Sequence, residues 1–448
     1  MRLRDNGAMT ELPRKAVARS ARLATIPLGM AGRAAIGFGK RVGGQPAEAV
    51  SREMQARTAA QVFEVLGGLK GGALKFGQTL SMFESAIPED MAAPYRATLT
   101  KMQEAAPPLP ARTVHAVLAA ELGDDWRDLF ERFDDVPAAA ASIGQVHRAV
   151  WHDGREVAVK VQYPGAAEAL MSDLTQVTRV ARVSAGWVPG LDLQPVLEEL
   201  RGRMAEELDY QLEAYSQGQM AEAYAGDPAI CVPEVLEVSE QVIVSEWIEG
   251  RPLADIIREG TPDERDAAAE RYLEFIISAP QRTGLLHADP HPGNFRMLPD
   301  GRMGVLDLGA VSRLPDGLPP ALGAMLTLAL ADRAEDLLEV LRDEGFVRSS
   351  ITVDAESLLT YLDAFLDPLR SDTFHFTRDW LRGIFAYLND PRSSEFTVGF
   401  RLNMPPQYLL IHRAWMGALA VLCQIGGTVP VRGIVDEYVP GARLPQVG

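Results

Sequence analysis

At 448 residues, 47% hydrophobic and 23% charged, the chain has the make-up of a soluble globular protein with about two or three packed lobes. Its net charge of −17 argues against nucleic acid as the main partner. Cys231 and Cys423, the two cysteines, stand far apart without a CxxC, which excludes a cysteine-based zinc site and suits a reducing compartment.

The charge is unevenly spread. Residues 1–45 carry nine Lys/Arg against Asp5 and Glu11, so this basic tail is a candidate for peripheral contact with an anionic membrane. The tail lacks the apolar core of a secretory signal, and no apolar run reaches the roughly 20 residues of a membrane span. The chain therefore reads as cytoplasmic, with membrane contact through residues 1–45 left open. From about Gln45 to Leu122 the apolar residues recur at three and four, predicting helices. The run "EAAPPLPAR" interrupts them, and another helix follows to Gly123. From Val136 the period changes. "QVHRAVW" and "REVAVKVQ" predict a hairpin around Asp153-Gly154. Two helical stretches follow, about 166–183 and 194–224, then the strand "QVIVSEW" and the loop "IEGRPL". After further helices come the loop "HADPHPGNF" and the strand "MGVLDLG"; beyond Pro319 the chain reads mostly helical. The apolar stretches 321–331 and 414–423 are expected to be buried helices. A strand pair, a helix and a hinge strand before a helical half predict an α+β, bilobal, protein-kinase-like fold with nucleotide between the lobes.

Four residues carry the chemistry. In "VAVKV" the two-residue period puts Val157, Val159 and Val161 on one face and Ala158 with Lys160 on the other. A lysine in an apolar strand needs an anionic partner, such as nucleotide phosphate and a helix glutamate, unless the strand lies at a sheet edge. Asp289 and Asn294 have the spacing at which a kinase loop aligns an acceptor hydroxyl and holds Mg2+. Pro290 and Pro292 stiffen the loop between them. Asp307 ends an apolar strand before Leu308-Gly309, where a second metal ligand is expected. Phosphoryl transfer is mostly positioning and charge neutralisation, so a lysine and two metal-facing ligands are its expected parts.

With these residues the chain resembles the UbiB/AarF-domain atypical kinases, the protein-kinase-like family that includes proteins required for ubiquinone biosynthesis. The likeness runs from about Leu66 to "PPQYLLIHRAW". "LKFGQTLS" matches the family's KxGQ signature at Lys75, Gly77 and Gln78. "PAAAASIGQVHRA" matches its alanine-rich loop, and "EELDYQLEA" matches its ExD motif at Glu207 and Asp209, with Glu213 as the lysine-pairing glutamate. The resemblance implies ATP or ADP and Mg2+ as cofactors, ATPase or unorthodox kinase activity, and a small-molecule or lipid acceptor in isoprenoid-quinone metabolism. It implies catalytic roles for Asp289, Lys160 and Lys75 and metal ligation by Asn294 and Asp307. Nucleotide contacts are expected from Ala140, Ala141, Ser142, Ala158, Lys160, Glu213, Glu246 and Ile248. Gln78, Glu207 and Asp209 would regulate, on a helical extension packed over the nucleotide cleft with Lys75 close to Glu207.

The implied organisation is a basic tail (1–45), a helical KxGQ extension (46–135), an N-lobe with the alanine loop and a helical insert (136–250) and a helical C-lobe (251–448). Alanines carry Cβ atoms that limit close backbone approach, so 138–141 is not expected to cradle phosphates as a glycine-rich loop does; Gly144 is the free position. No APE motif follows Asp307, and the short segment "AVSRLPDGLPP" offers no peptide platform. A protein kinase and a nucleotide-sensing pseudokinase scaffold remain the alternatives. Aminoglycoside-type phosphotransferases share the HxDxxxxN loop but leave the KFGQ helix unexplained.

Overall fold

The structure is a computed structural model that describes residues 108–446, apart from 142, 169–170, 172–204, 207, 389, 391–393 and 400. The expected tail, the KxGQ residues Lys75 and Gln78, Ser142, Glu207 and most of the helical insert lie outside the described residues.

The N-lobe is built on one antiparallel sheet. Helix α1 (Ala111–Leu122) leads through a short 3-10 turn to β1 (Phe130–Phe133), β2 (Ala139–Ala140), β3 (Gly144–Trp151) and β4 (Glu156–Gln162). After α2 (Tyr210–Ala223) come β5 (Ile230–Cys231), β6 (Val235–Val238) and β7 (Val242–Glu246). The strand order is β1-β3-β4-β7-β6, with β2 added on β3. The β3–β4 hairpin turns at Asp153-Gly154 as its sequence predicts. Gly154 takes a φ of 89°, which suits glycine, and Asp153 Oδ1 accepts the Arg155 N–H at 3.0 Å.

β4 lies between β3 and β7, so Lys160 is not an edge-strand lysine. Val157, Val159 and Val161 are fully buried and pack with Val114, Leu118, Trp126, Phe130, Trp151, Val242 and Val244. Each valine contributes roughly 1.5–3 kcal/mol of burial. This core also contains α1 and β1, which fall in the stretch expected to form the helical extension. Their short aromatic "FERF" pattern shows no alternation strong enough to reveal a strand, yet Phe130 pairs opposite Trp151.

Gly144 opens β3 for a different reason from the one expected. A Cβ there would lie 2.4 Å from the Val161 carbonyl oxygen, so the missing side chain permits the β3–β4 approach rather than freeing a phosphate loop. Gly144→Ala should therefore lower stability by about 1–3 kcal/mol, seen as a reduced urea midpoint. An unchanged midpoint would show that this strand spacing is not constrained.

The C-lobe begins with β8 (Arg251–Pro252), α3 (Leu253–Glu259) and α4 (Pro262–Thr283). A Thr261/Glu264 capping box starts α4, and Gly284 in the left-handed conformation ends it. β9 (Leu285–His287), β10 (Phe295–Met297), β11 (Met303–Val305) and β12 (Val311–Arg313) follow. β9 pairs with β12, and β10 lies between β11 and β8. Helices α5 (Pro320–Leu330), α6 (Ala334–Asp343), α7 (Ala355–Asp363), α8 (Arg378–Leu388), α9 (Ser394–Gly399), α10 (Pro406–Ile425) and α11 (Val431–Tyr438) complete the lobe. α4 is its axis, packed against α10, α11 and β9.

α10 has 20 residues and is apolar enough to cross a membrane by length and composition, whereas the sequence suggested only 414–423. In the fold, 56% of its apolar window is buried inside the lobe, and Ala414, Ala418, Val421 and Leu422 face the core.

Candidate functional site

The site forms where β4, α2 and the loop after β11 meet. Alternation along β4 turns Lys160 away from the valine core toward α2. That helix is capped by Asp209, whose side chain accepts the Leu212 N–H at 2.9 Å. One turn in, Glu213 is 4% exposed and takes the Lys160 ammonium on both oxygens, at 2.7 and 2.9 Å. From the other lobe, Asp307 Oδ2 lies 3.7 Å from the same ammonium. The Tyr210 ring supports it at 5.0 Å. Burial opposes the Lys160 charge, but Asp307 and Glu213 outweigh it and raise its pKa well above the ordinary lysine value.

The turn after Asp307 makes this convergence possible. Leu308 is buried in the C-lobe core, and the Gly309 N–H donates to Asp307 Oδ1 at 3.0 Å. A Cβ on Gly309 would sit 3.2 Å from Glu213 Oε2 and 3.3 Å from Asp307 Oδ1. Any side chain there would crowd the two carboxylates that hold Lys160.

The loop after β9 is fixed from the strand before it. His287 Nε2 donates to the Asp307 carbonyl at 2.8 Å, and its Nδ1 accepts the Asp289 N–H at 3.3 Å. Those two bonds require the neutral Nε2–H tautomer. One buried imidazole therefore ties Asp289 to Asp307. Asn294 Nδ2 donates to the Asp289 carbonyl at 3.0 Å and to Asp289 Oδ2 at 3.3 Å, so its amide oxygen is the atom available to a cation. His287 was not assigned from the sequence, although it stands two residues before Asp289.

Asp307 and Asn294 are hard oxygen donors. Among the described residues no cluster of three or more His, Cys, Asp or Glu could hold a metal alone. Two such oxygens are what Mg2+ usually takes from protein, completing its shell from phosphate and water.

The other expected residues lie on β4, in the alanine hairpin, at the hinge and at the start of α2. Ala158 shares the Lys160 face of β4. Ala140 and Ala141 form a tight hairpin with β3: Ala140 pairs with Gln145, and the Ala138 and Ala141 N–H groups donate to Val146 and Gly144. Those two amides are thus spent within the hairpin. Glu246 ends β7 at the hinge, but its carboxylate turns to Arg155 at 3.5 Å and to the Glu234 N–H at 3.4 Å. Its carboxylate and its N–H, which donates to the Glu234 carbonyl at 3.0 Å, are thus both engaged within the N-lobe. Ile248 packs under the hinge, where a Cβ on Gly304 of β11 would lie 3.0 Å from its Cγ2. Asp209 is the N-cap of α2; its expected partners Glu207 and Lys75 are outside the described residues. The short segment between Asp307 and α5 runs through β12 onto β9, with no elaborated loop.

Residues 101–341 match the ABC1 atypical kinase-like domain. The chain is 27% identical to the Caenorhabditis elegans atypical kinase coq-8, mitochondrial, over 96% of this chain and 58% of that one. It is 36% identical to the probable protein kinase UbiB of Aeromonas hydrophila over 52% of this chain and 42% of that one. It thus spans about half the length of these curated relatives. Among solved structures it resembles the Mycobacterium tuberculosis protein Rv3197, determined in complex with erythromycin, at 42% identity and a TM-score of 0.70, covering 89% of this chain and all of that one. With a matched domain over more than half its length and a kinase-like site built from Lys160, Glu213, Asp289, Asn294 and Asp307, this chain belongs to the ABC1 atypical kinase-like family, the UbiB/AarF group that its motifs indicate.

Proposed function

We propose that this protein is a Mg2+-dependent, ATP-binding enzyme of the phosphotransferase type. It acts as an ATPase or as a kinase of a small-molecule or lipid acceptor in isoprenoid-quinone or related lipid metabolism. The observation that carries this reading is the Lys160 ammonium, held by Glu213 in one lobe and within 3.7 Å of Asp307 in the other. Such a cation neutralises phosphate charge at the point where transfer develops it. Asp307 and Asn294 would hold Mg2+, which when bound screens the phosphates and polarises the transferred group. Asp289 would orient the attacking hydroxyl or water, with His287 fixing its backbone. The short segment after Asp307 weighs against a peptide acceptor.

The test is ATP turnover by the purified chain with and without Mg2+, in the presence of anionic liposomes or phenolic quinone precursors. Mg2+-dependent turnover is expected, raised by one of these additions. Nucleotide binding without turnover in every arm would leave a sensing scaffold instead. Erythromycin belongs in the panel because a relative binds it.

A peripheral membrane role is proposed for residues 1–45. Truncating them should abolish co-sedimentation with anionic liposomes, and salt should reverse binding of the full chain. Equal sedimentation with and without the tail would end that proposal.

A further inference from the structure

The catalytic loop has almost no backbone donors to spare. Pro290 and Pro292 have no N–H. The Asp289 N–H goes to His287 Nδ1, the His291 N–H to the Asp289 carbonyl, and the Gly293 N–H to His291 Nδ1. The Asn294 N–H goes to the His291 carbonyl and the Phe295 N–H to that of Pro292. Every N–H from Asp289 to Phe295 is thus committed, and none goes to the carbonyl of Pro290.

That carbonyl is met from outside the loop. The Tyr272 hydroxyl, from the middle of α4, donates to it at 2.7 Å. Tyr272 is fully buried, with its ring edge-to-face against Phe295 at a centroid distance of 4.9 Å. Phe275 and His287 complete the aromatic cluster beneath the loop, at 6.0 and 5.5 Å from Phe295. Burial, aided by the Asp289 charge, raises the phenol pKa well above its ordinary value, so the hydroxyl stays a donor at any working pH.

We propose that Tyr272 is a positioning residue for Asp289, tying the loop to the central helix of the C-lobe. Three successive polar groups are then pinned. His287 holds the Asp289 N–H, Asn294 holds the Asp289 carbonyl, and Tyr272 holds the Pro290 carbonyl. The first two anchors belong to the loop and its own strand. Tyr272 comes from another element, and so sets where the loop sits relative to the rest of the lobe. This inference rests on the phosphoryl-transfer reading for its kinetic consequence, but not for its structural one.

The test compares Tyr272→Phe with Ser278→Ala. Ser278 lies six residues further along the same helix and shares a buried 2.7 Å hydrogen bond with Tyr224, not with the loop. Each variant deletes one buried hydrogen bond from α4. Tyr272→Phe should lower kcat by about 10-fold or more while nucleotide KM stays within about 2-fold. Ser278→Ala should keep wild-type kcat despite a similar loss of thermal stability. Amide hydrogen exchange at His291 and Asn294 should quicken in Tyr272→Phe alone. Equal kcat losses in both variants would reduce Tyr272 to a packing residue. Unchanged exchange at His291 and Asn294 would overturn the clamp even if the wild-type chain turned over no nucleotide, an outcome that would count against the enzymatic reading separately.

Discussion

Asp307→Asn should abolish the Mg2+-dependent thermal stabilisation by ATP while leaving the nucleotide-free protein folded. The substitution preserves shape. The oxygen that accepts the Gly309 N–H at 3.0 Å can be kept, and the neighbouring Leu308 stays buried in the C-lobe core. What disappears is the negative charge that faces Lys160 and would face the cation. Hard divalent cations select anionic oxygen, and the amide of Asn294 cannot replace it. Turnover should fall by at least about 10²–10³-fold, the scale of removing one preorganised electrostatic group. Differential scanning fluorimetry with Mg2+ and ATP, each omitted in turn, checks this. If the mutant kept the full Mg-nucleotide shift, Asp307 would not be the metal ligand.

Lys160→Ala is expected to act on stability and on nucleotide together. Glu213 is 4% exposed and holds the ammonium through both carboxylate oxygens. Deleting the ammonium should cost roughly 1–3 kcal/mol, and a simultaneous Glu213→Gln should recover part of that. The pH dependence has a definite sign. The folded Lys160 pKa lies well above its ordinary 10.5, so its stabilisation is complete below that pH and is lost as pH rises through the folded value. The variant's deficit should therefore be constant between neutral pH and about pH 9, and shrink only in strong alkali. Nucleotide affinity should drop in parallel because the phosphates lose their cation. Normal binding and turnover by Lys160→Ala would refute the assignment of β4 as the nucleotide-facing strand.

The local signals in the chain were strong wherever a single element carries its own chemistry. Alternation in "VAVKV" separated the three buried valines from Lys160. Asp153-Gly154 marked the hairpin, and two prolines within "HADPHPGNF" marked a stiff loop presenting Asp289 and Asn294. These readings depend on periodicity and on fixed backbone angles, which are properties of a few consecutive residues. The kinase-like, two-lobed α+β architecture also followed from element order, since the strand pair, helix, hinge strand and helical half come in that sequence along the chain.

Contacts between distant segments were not legible in the same way. β1 reads as an aromatic end to a helical region, and only its pairing with β3 makes it a strand of the N-lobe. Gly144 reads as conformational freedom beside an alanine run, but its partner is the carbonyl of Val161 on the next strand. The Glu246 carboxylate lies in the expected hinge, yet Arg155 draws it away. Tyr272 has no motif around it at all; its role appears only because α4 passes under a loop that has run out of backbone donors. Where periodicity or a turn motif is strong, a residue's neighbours along the chain set its local conformation and the face it occupies. The partners that satisfy its hydrogen bonds and charge are assembled by tertiary packing from elements far apart in sequence, and packing decided them here.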